Sequence, residues 1–64
     1  MNENGIFIVR TIANTVNTIT ELDDLIIEEK DEVRLDQLKK RREQLIGVLK
    51  ELAQELDAET QPLH

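Results

Sequence analysis

Along residues 35–56 the apolar side chains return at alternating three- and four-residue spacings: Leu35, Leu38, Leu45, Leu49, Leu52 and Leu56, with Arg42 in the remaining slot. This is a heptad repeat with Leu35 at position a and Leu38 at position d. Ile46, Val48 and Ala53 fall at the flanking e and g positions. The apolar stripe is therefore wider than a two-stranded coiled coil needs, and it fits a helix touching two or more neighbours. Residues 6–29 carry a second stripe. Ile8, Ile12, Ile19, Leu22 and Ile26 keep the same spacing, Thr15 fills one d slot, and Val9, Val16 and Leu25 widen it. This half is rich in β-branched residues, which lowers its helix propensity. Its apolar residues nonetheless do not alternate in twos as a half-buried strand requires. Asn2 or Asn4 is a candidate N-cap.

The two stripes do not share one phase. Continuing the first past Ile26 places Val33 at a, whereas the second needs Leu35 there. A single helix would turn its apolar face away from itself, and a turn near residues 30–33 removes the conflict. That segment is polar, with neither Gly nor Pro, and Asp31 is the expected N-cap of the helix that follows. Folding the chain about residue 32 sets Ile26 against Leu38, Ile19 against Leu45, Ile12 against Leu52 and Ile8 against Leu56. Thr15 then meets Leu49, and Leu22 meets Arg42. The chain is read as one helical-hairpin domain, residues 1–64, with helices over about 5–30 and 33–59 and a flexible tail over 60–64. Pro62 helps to end the second helix, because the residue before a proline is biased out of the helical region.

Two helices cannot enclose a core, and one side of each wide stripe stays wet. A chain of 64 residues without cysteine has neither disulfides nor thiolate metal sites to stabilise it. Oligomerisation remains. The expected fold is all-α, an antiparallel two-helix hairpin that dimerises into a four-helix bundle. Its core is expected to hold Ile8, Ile12, Val16, Ile19, Leu22, Ile26, Leu35, Leu38, Leu45, Leu49, Leu52 and Leu56. Trimers, a hairpin docked on a different protein, one long helix, and a ribbon-helix-helix dimer with residues 6–11 as its strand are the alternatives. Such a strand would offer DNA only Arg10 as a basic residue.

Charge bears on partners. Residues 21–32 carry seven acids and one base, and residues 33–50 carry six bases and two acids, within a chain of net charge −6. The fold about residue 32 lays these segments side by side. The run Lys39, Lys40, Arg41 and Arg42 is thus expected to offset the acids of the first helix and set hairpin register. Asp36 with Lys40 and Lys39 with Glu43 add pairs along the helix. Arg42 at an a position packs its stem on Leu22 and sends its head to Glu21, Asp23 or a partner's acid. The competing role for these four residues is contact with a bound partner. Nucleic acid is the weaker candidate: the four bases point all round a helix, and the acidic segment beside them repels phosphate.

Residue chemistry argues against catalysis. There is no cysteine, and the one histidine is His64. The inward Glu-x-x-His pairs of di-iron bundles are missing, as is a calcium-loop glycine pattern. The acids Glu21, Asp23, Asp24, Glu28, Glu29, Asp31 and Glu32 read as a solvated face. The threonines and asparagines of residues 11–20 are expected to tune packing or to hydrogen-bond between helices. Gly47, at an f position, reads as an exposed glycine. The apolar run of residues 5–9 is closed by Arg10 and is too short to span a membrane, nor does a signal-peptide pattern precede it. A cytoplasmic protein without cofactor, metal or membrane is expected.

The expected architecture is similar to that of the plasmid copy-control protein Rop, a dimer of helical hairpins that binds RNA. The likeness is one of architecture, without a shared motif. The segments at 19–26 and 53–57 faintly resemble the Ser-Gln-Glu-Leu-Asp motif of small hairpin phosphatases acting on sporulation regulators, but they lack its serine and the spacing around it. The expected function is that of a small non-enzymatic, homo-oligomeric interaction protein, a regulator or adaptor binding another protein. A hairpin dimer binding RNA or DNA through residues 39–42, or a purely structural oligomerisation module, is the alternative.

Overall fold

The computed structural model describes residues 3–60. It contains two helices, α1 over Glu3–Glu28 and α2 over Glu32–Thr60, packed against each other as a hairpin. The connection is only residues 29–31. Short helix–helix connections force antiparallel neighbours, and the result is an elongated molecule, 53 × 16 × 12 Å at the Cα positions. No described helix is long and apolar enough to cross a membrane.

The turn forms without glycine and without any positive φ among the described residues. Side chains replace those devices. The Asp31 carboxylate accepts from the Arg34 N–H at 3.1 Å, which is N-cap geometry, while the Asp31 carbonyl accepts the first helical bond from Leu35 at 2.9 Å. The Glu29 carboxylate accepts from the Asp31 N–H at 3.0 Å. In a capping box the residue three after the cap reaches back to the cap N–H. Here position 34 is an arginine, and Glu29 supplies the acceptor from the other side. At the opposite end Asn4 lies inside α1, and its amide donates to Glu59 at 2.7 Å, tying the two helices together. Asn2, the other candidate cap, His64 and Pro62 lie outside the described residues.

The seam between the helices follows the heptads. Ile8 and Leu22 are buried, at 4% and 9% exposure. Ile12, Ile19, Ile26, Leu35, Leu38, Leu45, Leu49, Leu52 and Leu56 are half-buried. Gly5, also buried, adds one more layer in the same spacing, three residues before Ile8. Thr15 fills its slot at 9% exposure, and its hydroxyl donates to the Thr11 carbonyl at 2.7 Å. Thr11, Thr18 and Thr20 likewise donate to the carbonyls of Phe7, Asn14 and Val16. These hydroxyls therefore serve their own helix rather than bridging to α2, because a carbonyl four residues back is always within reach of a helical threonine. The cost of placing hydroxyls on this helix is met locally, and no buried side-chain polar atom among the described residues is left without a partner.

Candidate interaction surface

The basic run divides once it is folded. Arg42 is the residue that crosses the seam: its Nε donates to Asp23 at 2.5 Å. This is the register contact expected of it, made with one of the expected acids. Lys40 instead pairs within α2, 3.0 Å from Asp36. Arg41 reaches Gln44 at 3.5 Å, a long contact. Among the described residues Lys39 closes no ion pair, so the expected pair with Glu43 is not formed. Only one of the four bases thus ties α2 to α1. The two side chains of that tie are 39% and 45% exposed, so water weakens their attraction.

Two contacts fix which flanks of the helices lie together. Asp23 at an e position reaches Arg42, and Leu25 and Arg34, both at g, share a shallow depression of about 320 Å³ with Glu29, Gln37 and Leu38. The e flanks thus share one broad face of the hairpin and the g flanks share the other, as in any antiparallel pair of heptad helices. The e face carries Ile6, Val9, Ala13, Val16, Thr20, Asp23 and Ile27 from α1, beside Ile46, Ala53 and the charged Asp36, Lys39, Glu43, Lys50 and Asp57 from α2. The g face carries Phe7, Thr11, Asn14, Thr18, Glu21, Leu25 and Glu28 from α1, beside Arg34, Arg41, Gln44, Val48, Glu51 and Glu55 from α2. The α1 half of the e face is largely apolar, its α2 half is largely charged, and the g face is mixed.

Ile6, Val9 and Val16 are 46%, 41% and 43% exposed, and Ile27 is 80% exposed. Val16, expected among the core residues, therefore stands outside the seam, on the e face. Phe7, Leu25, Val33 and Val48 are also exposed. Six of the eight exposed large apolar residues belong to α1, so the unmet apolar surface lies chiefly on the first helix. No described side chain is fully buried. Among the described residues no group of three or more His, Cys, Asp or Glu is placed to hold a metal ion.

Gly5 and the b-position members of the e face of α1 escaped the sequence reading. Gly5 was legible in principle, since it continues the spacing of Ile8 and Ile12. The row formed by Ile6, Ala13, Thr20 and Ile27 lies at b positions, which a count of a and d residues passes over.

Comparison with known proteins finds no match: no family model, no curated protein and no solved structure is similar to this chain.

Proposed function

We propose that this protein is a non-enzymatic helical interaction protein that self-associates and serves as a regulator or adaptor. Two hairpins join through the open apolar residues of α1 into a homodimeric four-helix bundle. The threonines, asparagine and acids of the g faces remain outward for a second protein.

The observation that carries this reading is a hairpin with no fully buried described side chain and a row of large apolar residues open on one face. A soluble monomer rarely leaves such a row uncovered, and a chain of this size gains stability chiefly by association. The charge pattern supports protein over nucleic acid as the outward partner. Arg42 and Lys40 are engaged by Asp23 and Asp36, and Lys39 and Arg41 are the bases of the run left without an acid among the described residues.

Light scattering across a concentration series tests the first half: the mass should be twice that of the 7.4 kDa chain, with thermal stability rising with concentration. A fully helical monomer at all concentrations would sink it. Binding to RNA or DNA that weakens steeply with salt would instead assign residues 39–42 to a nucleic-acid interface.

A further inference from the structure

We infer that the hydrogen bond between Asn4 and Glu59 guards a deamidation site. Asn4 and Gly5 form an Asn–Gly step that cyclises and loses its amide when the open end of the hairpin comes undone, and Glu59, on the other helix, sets how often that happens. The inference concerns the single hairpin and does not depend on self-association.

The chemistry belongs to the two residues themselves. The Gly5 backbone nitrogen attacks the side-chain carbonyl carbon of Asn4. The new C–N bond closes a five-membered succinimide ring, and the amide nitrogen leaves as ammonia, with the proton that the Gly5 nitrogen gives up. Water then opens the ring at either carbonyl and leaves aspartate or isoaspartate. The step is easiest where the following residue has no Cβ to shield the attacking nitrogen. Of the asparagines in the chain, only Asn4 precedes a glycine. Asn14 and Asn17 precede Thr15 and Thr18, whose branched Cβ crowds the nitrogen, and both stand in the interior of α1.

The fold holds the reaction back. Asn4 lies in the first turn of α1, and the ring does not close while its ψ stays in the helical well. Gly5 is buried, so removal of its proton by solvent base awaits the same opening. Helix ends open at far lower cost than packed interiors, and this step sits at one. What opposes the opening is the last turn of α2. The Asn4 amide donates to the Glu59 carboxylate at 2.7 Å, across 55 positions of sequence. That bond fixes the side chain whose carbonyl carbon is attacked, and it ties the first turn of α1 to the end of its neighbour.

Neither product restores the tie. The amide that donated to Glu59 has become a carboxylate, which only accepts hydrogen bonds and repels a second carboxylate. Isoaspartate also routes the main chain through the former side chain, which displaces Gly5 from its layer of the seam. The reaction is a one-way release of the hairpin's open end, and its rate reports how long that end has stood open.

Ageing the full chain in mildly alkaline buffer, with peptide mapping by mass, tests this. In the unaltered protein Asn4 should convert ahead of Asn14 and Asn17, but more slowly than in the same chain unfolded in urea. Glu59→Ala should speed conversion at Asn4 about threefold, the shift in a local opening expected when an exposed contact to a charged group is lost. Glu59→Gln keeps an acceptor oxygen at the same reach and should hold the rate near that of the unaltered protein. Glu59 is exposed, so both variants leave the seam intact. Equal rates in the unaltered protein and Glu59→Ala would overturn the guarding role of Glu59. An Asn4 that converts no faster than Asn17 would overturn the site itself.

Discussion

Arg42 sits where heptad logic asks for a leucine. Its stem lies in the seam and its head reaches Asp23. Polar residues at such positions trade stability for a defined register and partner number. The trade is small here, because both side chains keep about two-fifths of their surface in water, and a pair this exposed contributes no more than about 1 kcal/mol. Arg42→Leu completes the stripe and leaves Asp23 hydrated. We expect thermal unfolding to show a gain of about 4–8 °C, as ~1 kcal/mol gives in a domain of this size. Sedimentation should also show a broader set of oligomers, because a device against wrong pairings is lost. A lower melting temperature would mean the ion pair outweighs leucine packing. Gly47 poses the opposite problem. A Cβ built there meets nothing within 4 Å, so the hairpin itself has no use for the glycine. Gly47→Ala should stabilise α2 by ~1 kcal/mol through helix propensity alone. Loss of dimer on that change, read by light scattering, would show that a second backbone comes close at this point.

At the scale of elements, the phase break between the stripes proved more informative than any turn residue. Residues 29–31 contain none of the usual punctuation, yet they turn, because only a turn brings Ile26 and Leu35 onto one seam. The sequence showed Asp31 as the cap, since Asp before an apolar-periodic run is a common helix start. The role of Glu29 was not legible, because its carboxylate bonds a backbone group whose direction is set only once the chain has turned. Asp31→Ala removes the acceptor for Arg34 and should cost ~1 kcal/mol, with fraying of the first turn of α2 visible as faster amide exchange at residues 33–35. Unchanged protection there would show that Glu29 holds the turn alone. The threonines mark a second limit. Their spacing was plain, but hydroxyl direction was not: an acceptor four residues back on the same helix is always present, whereas one on the facing helix depends on the distance between them.

For the whole molecule, the hairpin and its seam follow from the spacing of a and d residues, while the broad faces depend on b, e and f residues whose meaning appears only when two helices lie side by side. Stability at this scale is a property of concentration. Leu49 makes the point testable, because it faces Thr15 in the middle of the seam and is only half-buried in the hairpin. A fully buried leucine truncated to alanine costs about 2–5 kcal/mol, and one that keeps half its surface in water loses correspondingly less transfer free energy. Covering the e face moves Leu49 toward the first case. Leu49→Ala should therefore cost ~2 kcal/mol or more where the protein is dimeric, and it should raise the dimer dissociation constant as well as lower the melting temperature. Denaturation of the two proteins over a wide concentration range checks this. A small cost, the same at every concentration, would mean the hairpin's middle stays wet and no second hairpin covers it.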